Sequence, residues 1–210
     1  MKLYGTPPTR ALRAIWLINE LDLDCEIVMV DMGVGEQGSP KMLALNPTGK
    51  LPFLVDGDDV ISESCAIRLY LADKHAERGL MGSSLSERGQ IYRWMFFLAT
   101  EVEQPLWRVA LHTRMYAKEQ RLAADVPLAK RDAEAMVRVL ENHMEHRDFL
   151  VGDQLSVADF NAAYTLDWAR EAGTPNHAPR LNAYLDRMYA RPKAPPTIAD
   201  AWAELKRQFG

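Results

Sequence analysis

The stretch best suited to binding chemistry runs from Asn46 to Leu54, with the sequence NPTGKLPFL. Its Asn-Pro and Thr-Gly pairs favour tight turns. Pro52 has no N–H for a sheet ladder, so it belongs at the start or the edge of a strand, and a cis bond before it is energetically accessible. A cis Leu51–Pro52 bond would turn the backbone N–H and C=O of Leu51 outward. We therefore expect Leu51 to pair with an extended peptide, in the manner of an added strand.

Ten residues further on, the sequence ISES over residues 61–64 indicates the end of a strand and the start of a helix. A helix N-terminus offers free N–H groups, and here it coincides with the carboxylate of Glu63 and the hydroxyl of Ser64. These groups together would hold an amino acid by both of its charged ends. The alternative interpretation is that Glu63 and Ser64 serve only as a helix cap and a first-turn acid.

The pattern Asn-Pro-x-Gly-Lys-x-Pro, followed by Glu63-Ser64, resembles the glutathione site of cytosolic glutathione transferases. The resemblance covers nearly the whole chain and is strongest to bacterial serine- or threonine-type members, similar to the theta, phi and nu classes. It implies glutathione as co-substrate and no metal. The glutathione-binding residues that it implies are Gln37, Lys50, Leu51, Pro52, Glu63 and Ser64.

Each binding residue has a role implied by this resemblance. The backbone of Leu51 would hold the cysteinyl moiety, and Glu63 and Ser64 would hold the γ-glutamyl end. Lys50 would face the glycyl carboxylate as a point charge, unless it is only a solvated loop residue. Gln37 would also reach the glycyl end.

The thiolate of glutathione is the nucleophile, so the enzyme needs a hydrogen-bond donor near the sulfur, ideally at a helix N-terminus. The run TPPTRA over residues 6–11 is similar to the serine-type branch, in which the catalytic Ser stands four residues before an Arg. On that alignment Thr6 takes the Ser position and Thr9 caps the helix. Thr is less usual there, since its β-branch restricts the hydroxyl. Thr9 is the alternative donor, and the competing interpretation is that both are only turn and cap residues.

The elements that must position these groups follow from the apolar pattern. The resemblance implies a thioredoxin-like α/β domain of order βαβ-α-ββα, with the first two strands parallel. We expect strands at 1–4, 25–30 and after Pro52, a hairpin through Gly57-Asp58-Asp59, and helices from about Thr9, over 41–45 and over 63–74.

The rest of the chain predicts an all-helical domain. We assign residues 1–76 to the thioredoxin-like domain, 77–86 to a linker and 87–210 to the helical domain. The pattern predicts a long helix over 85–116 with a kink at Pro105, and a second one over 117–146 with Pro127 near its start or a break. Ser156 and Asp159 form a capping-box variant, and helices over 178–189 and 196–207 close the chain.

The electrophile would lie in a cleft between the two domains, where small-molecule sites are common. Candidate pocket residues are Pro7, Trp107, Arg108 and His112. The mixed aromatic and cationic character of the last three favours an aromatic or anionic electrophile. The alternative interpretation places Trp107 in the core and Arg108 in solvent or in an ion pair.

Composition limits the other possibilities. A formal net charge of −4 argues against nucleic acid, and no apolar run approaches a membrane span. The histidines, including His177, show no metal-ligand spacing, and neither Cys25 nor Cys65 stands at the donor position, which disfavours a redox role. Without a signal-peptide core at the start, we expect a cytoplasmic protein. The resemblance further implies that the protein forms a homodimer.

We therefore predict a glutathione transferase that conjugates glutathione to a small hydrophobic or aromatic electrophile. Two alternatives remain open. One is another glutathione-dependent enzyme on the same fold, such as an isomerase, a dehalogenase or a peroxidase. The other is a non-catalytic interaction protein with this fold.

Overall fold

The computed structural model describes residues 1–174 and 178–209, so His177 lies outside the described residues. The chain divides into two compact units, one of residues 1–81 with 191–210 and one of residues 82–190. The first part of the first unit contains β1 (Lys2–Tyr4), α1 (Ala11–Glu20), β2 (Glu26–Val28), α2 (Pro40–Leu45), β3 (Phe53–Asp56), β4 (Asp59–Ser62) and α3 (Ser64–Lys74).

The four strands form one mixed sheet in the order β2-β1-β3-β4. β1 runs parallel to β2, and β3 pairs antiparallel with both β1 and β4. Tyr4 lies opposite Phe53 in the register, and their rings stack with centroids 4.6 Å apart. The predicted thioredoxin-like order βαβ-α-ββα is thereby confirmed.

The β3–β4 hairpin turns through Gly57 and Asp58, as the sequence predicted. Gly57 has a φ of 63°, a left-handed conformation that is common in two-residue hairpin loops and costs glycine little. No heavy atom outside the turn lies within 4 Å of where a Cβ on Gly57 would be, so the backbone conformation alone explains the glycine.

The second unit is helical. It contains α4 (Leu85–Phe97), α5 (Glu103–Ala110), α6 (Asp125–His143), α7 (Val157–Glu171) and α8 (Pro179–Tyr189), and the chain returns to the first unit with α9 (Ile198–Phe209).

Near the predicted kink at Pro105, the structure contains two π-helical segments. α4 and α5 are joined by a π-helical segment, Leu98–Val102, and a second one, Leu111–Met115, follows α5. Pro105 cannot donate to the carbonyl four residues earlier, at residue 101, and its ring clashes with that carbonyl in a regular helix. The π-helical segment ends at Val102, three residues before Pro105. We attribute the position of this wider turn to the hydrogen bond that Pro105 cannot form.

The helix predicted over 117–146 was wrong at its first eight residues. Residues 118–120 form a single 3₁₀ turn, and α6 begins only at Asp125. Pro127 is the third residue of α6, where its missing N–H leaves no helical bond unmade.

Ser156 and Asp159 form the predicted capping box at the start of α7. The Asp159 carboxylate is fully buried and accepts the N–H and the hydroxyl of Ser156, each at 2.8 Å. It also accepts the Leu150 N–H at 2.9 Å and the Tyr184 hydroxyl at 2.8 Å. Four donors therefore converge on one carboxylate, which joins α7 to α8 and to the preceding loop.

Residues 191–210 group with the first unit, although the sequence placed them in the helical domain. Arg191 pairs with Glu20, and Lys193 pairs with Asp22, at the C-terminal end of α1. These long-range ion pairs attach the final segment to α1. The linker over 77–86 stays a prediction.

Candidate active site

The loop after β1 packs directly against Pro52. A Cβ added to Gly5 would lie 2.7 Å from the Cβ of Ala11 and 3.3 Å from that of Pro52, so only glycine fits at this approach. The Leu51–Pro52 bond is cis, as the sequence analysis anticipated, and Pro7–Pro8 is cis as well. β3 begins at Phe53, which leaves Leu51 outside the sheet register.

The two candidate thiol donors, Thr6 and Thr9, both hydrogen-bond to the backbone. The Thr6 hydroxyl donates to the Val30 carbonyl at 2.5 Å and accepts the Val30 N–H at 3.2 Å. The Thr9 hydroxyl donates to the Thr6 carbonyl at 2.5 Å and accepts the Ala11 N–H at 3.3 Å. The N-cap residue of α1 is Arg10, one position after the Thr9 that the sequence analysis expected. Either hydroxyl would have to exchange a carbonyl acceptor for a thiolate.

The turn before Lys50 is organised by Asn46, which is 4% exposed. Its side-chain amide donates to the Lys50 carbonyl at 2.8 Å, and its side-chain oxygen accepts the Thr48 hydroxyl at 2.9 Å. The Lys50 N–H donates in turn to the Thr48 hydroxyl at 3.3 Å. These bonds fix the backbone from which the exposed Lys50 side chain extends.

Gln37 lies beside the same turn. A Cβ on Gly49 would come within 3.8 Å of the Gln37 carbonyl oxygen. The side-chain oxygen of Gln37 is buried and has no hydrogen-bond partner among residues 1–174 and 178–209. Since a buried polar atom normally has a partner, this amide is a candidate ligand contact.

Glu63 and Ser64 start helix α3. Glu63 is the N-cap residue and has a φ of 69°, which is uncommon for a residue other than glycine and costs backbone strain of the kind that clusters at functional sites. Ser64 is the first helical residue, and its side chain is buried. Within the described residues, the exposed carboxylate of Glu63 and the exposed ammonium of Lys50 form no ion pair, so both charges remain available.

Two buried arginines support Ser64, and the sequence analysis missed both. Arg13 of α1 is 1% exposed and donates to the Ser64 hydroxyl at 3.4 Å. Arg68 is 0% exposed and donates to the Ser64 carbonyl at 2.9 Å and to the Cys65 sulfur at 3.4 Å. The four-residue spacing from Ser64 was the one signal for Arg68, because it places both on one helix face. Arg13 had no comparable signal, since its contact joins two helices.

Trp107, Arg108 and His112 belong to the second unit, whereas Pro7 belongs to the first. Trp107 is partly buried, and its ring lies edge-on to Trp168 with centroids 6.3 Å apart. This contact is compatible with a pocket wall and with the core interpretation.

Arg108 is held by two carboxylates of α6. Its Nε donates to Asp125 at 3.1 Å, and its Nη1 donates to Asp132 at 3.0 Å. The hydrogen bonds to Asp125 and then to Asp132 raise the pKa of Arg108, and the guanidinium lowers the pKa of both carboxyl groups. His112 Nδ1 accepts the Leu122 N–H at 3.2 Å, and its Nε2 lies 3.6 Å from Asp125. Arg108 is thus ion-paired, as the alternative interpretation had it.

Two negative findings concern the described part of the chain. No group of three or more His, Cys, Asp or Glu side chains there is arranged to hold a metal ion. No helix there has the length and hydropathy needed to cross a membrane.

Two family models and several known proteins are similar to this chain. The family models described as "Glutathione S-transferase, N-terminal domain" and "Glutathione S-transferase, C-terminal domain" match residues 1–73 and 102–192. A glutathione S-transferase of Arabidopsis thaliana is 32% identical over 95% of this chain and 96% of its own length. A glutathione S-transferase structure from Xylella fastidiosa has a TM-score of 0.79 at 30% identity, with 97% of each chain covered. A glutathione transferase from Phanerochaete chrysosporium, solved with oxidized glutathione, has a TM-score of 0.83 at 26% identity, covering 99% of this chain and 95% of its own. The chain therefore belongs to the glutathione S-transferase family.

Proposed function

We propose that the protein binds glutathione in the first unit, activates it as the thiolate and transfers it to a small electrophile. The observation that carries the proposal is the start of α3. There a strained, exposed Glu63 precedes a buried Ser64 that two arginines support, Arg13 and Arg68. In the reaction, a carbon–sulfur bond forms, the leaving group departs with its electron pair, and the thiol proton passes to solvent.

The charges available at the site match those of glutathione. The carboxylate of Glu63 would bind the α-ammonium of the γ-glutamyl end, and Ser64 with the first N–H groups of α3 would bind its carboxylate. Lys50 would meet the glycyl carboxylate, and Gln37 would contact the same end. The backbone of Leu51, which lies outside the sheet register, would pair with the cysteinyl residue.

The thiolate would be stabilised by a hydroxyl of the loop that leads into α1. We propose Thr6 as the donor and Thr9 as the alternative. The positive end of the α1 dipole favours the anionic sulfur in either case. The lowered thiol pKa and the proximity of two bound reactants would supply the rate.

For the electrophile, Pro7, Trp107, Arg108 and His112 stay candidate pocket residues. Because Arg108 already binds two carboxylates, the structure favours a neutral aromatic electrophile over an anionic one. We further propose a cytoplasmic homodimer. The dimer part of this proposal is supported by the family resemblance.

The test is glutathione binding by isothermal titration, with conjugation to a chlorodinitrobenzene measured on the same samples. Glu63→Gln removes one charge-assisted bond, worth about 1.5–3 kcal/mol, and we expect about 10- to 100-fold weaker binding. Asp58→Asn, in the exposed hairpin turn, is the charge-matched control and leaves affinity unchanged. A folded protein that binds no glutathione would indicate a non-catalytic role. Binding without conjugation would favour the isomerase, dehalogenase or peroxidase alternatives, which product analysis separates.

A further inference from the structure

A cavity of about 290 Å³ lies in the helical unit among α6, α7 and α8. Its apolar lining includes Val137 from α6, Leu166 from α7, and Leu181 and Leu185 from α8. All four side chains are at most 6% exposed. The space is partly open to solvent, and its surface is about equally polar and apolar, with the apolar side chains grouped on one side and Arg170, Asn182 and Asp186 at the rim. A space of this volume against leucines is therefore a candidate ligand site.

The volume limits the size of the occupant. It lies at the lower end of the range for small-molecule sites, roughly 300–1,000 Å³. It is also about twice the roughly 150 Å³ of an apolar cavity that binds benzene. A two-ring aromatic molecule fits this volume.

The rim of the cavity carries polar groups, of which some already have a partner and others are available to a ligand. Arg170 donates to Asp167 at 2.8 Å, so its charge is already matched. Asn182 and Asp186 lie one turn apart on α8, and both are exposed. In the stretches that the structure describes, Asp186 forms no ion pair. Among the rim residues that the structure describes, the available charge is therefore negative.

We propose that this cavity binds a small aromatic amine, separately from the glutathione site. The ring lies among Val137, Leu166, Leu181 and Leu185, and the ammonium group reaches the carboxylate of Asp186. The side-chain oxygen of Asn182 accepts a second hydrogen bond from the ammonium. Apolar burial holds the ring, and the acidic rim selects the sign of the charge. All of the lining residues belong to the unit of residues 82–190, whereas the proposed glutathione contacts belong to the other unit.

Three probes with one ring system and different charge test the proposal: tryptamine, indole and indole-3-acetate. Binding is measured by isothermal titration on the full chain, with and without saturating glutathione. We expect tryptamine to bind about two- to fivefold more tightly than indole, as for an ion pair at a solvent-exposed edge, and indole-3-acetate to bind most weakly. Glutathione leaves all three affinities unchanged. Equal affinities, displacement by glutathione, or no binding of any probe would overturn the proposal.

Two variants separate the roles of charge and volume. Asp186→Asn is an exposed change that abolishes the preference for tryptamine over indole, and Asp153→Asn, an exposed acid elsewhere in the unit, leaves it intact. Ala169→Leu adds volume at the lining and weakens all three probes by at least tenfold. If Asp186→Asn and Asp153→Asn retain the same preference, the carboxylate does not select the ligand. If Ala169→Leu folds and still binds the probes with native affinity, they bind elsewhere.

Discussion

Replacing Thr6 with Val tests how the thiol is activated. Val keeps the β-branched shape and removes the hydroxyl, which now donates to the Val30 carbonyl and accepts the Val30 N–H. A hydrogen bond to an anionic sulfur is worth about 1.5–3 kcal/mol, and the bond to Val30 that must be surrendered is worth about 0.5–1.5 kcal/mol. The net stabilisation of the thiolate is about 1–1.5 kcal/mol, which corresponds to about one pKa unit.

We therefore expect the thiol pKa of bound glutathione to rise by about one unit in Thr6→Val. The assay is the ultraviolet absorbance of the thiolate as a function of pH, at saturating glutathione. Thr6→Ser is the matched control, because it retains the hydroxyl and should keep the thiol pKa within a few tenths of the native value. Conjugation below the native thiol pKa should fall by about tenfold in Thr6→Val, in proportion to the lost thiolate.

The same change has a structural cost that must be measured separately. Loss of both Val30 bonds should lower the free energy of unfolding by about 1–2 kcal/mol, measured by urea denaturation. A lower stability with an unchanged thiol pKa would refute Thr6 as the donor. If Thr9→Val raises the thiol pKa instead, Thr9 is the donor. If neither variant shifts it, the α1 N-terminus or the backbone activates the sulfur.

Three further predictions concern stability. Asp159→Ala leaves four donors without their acceptor and should lower the free energy of unfolding by about 3–5 kcal/mol, measured by urea denaturation. The control Asp153→Ala, at an exposed acid, should lower it by less than about 0.5 kcal/mol. A loss near 1 kcal/mol for Asp159→Ala would mean that water replaces the carboxylate. Burial lowers the pKa of His143. Its neutral form therefore contributes stability that is present above the ordinary histidine pKa and is lost as the pH falls through the pKa of the folded state. The free energy of unfolding, measured at pH 7.5 and at pH 5, should show this loss in the native protein and a smaller one in His143→Gln. Gly57→Ala should destabilise by about 1 kcal/mol because of its positive φ, and Gly89→Ala, inside α4 with open space around its Cβ position, should stabilise by about 0.5–1 kcal/mol; equal effects would contradict the backbone argument.

Local signals in the sequence were sufficient for several parts of the fold. The order of strands and helices in residues 1–74 follows from apolar periodicity and turn residues, together with the family resemblance. The hairpin at Gly57 and the capping box of Ser156 and Asp159 each depend on residues no more than three positions apart. Interactions of this range repeat in every protein that has the same local pattern, so they are readable without a structure.

Other features depend on contacts that sequence spacing does not encode. The start of α6 at Asp125 coincides with the ion pair between Asp125 and Arg108, seventeen residues earlier. The same ion pair engages the guanidinium of Arg108, which the sequence analysis had considered for binding an anionic electrophile.

The sequence by itself determined the family, the α/β order of the first unit and the residue types that we propose to contact glutathione. The tertiary structure determined which side chains from distant parts of the chain contact one another. It placed Arg13 on the Ser64 hydroxyl, fifty-one residues away, and it attached residues 191–210 to α1 through Arg191 and Glu20. Both involve charged side chains removed from water, wholly for Arg13 and in part for Arg191, and such groups are stabilised only by partners that folding brings together. No periodicity or motif in one segment reports a partner in another, so these contacts could be known only from the folded chain.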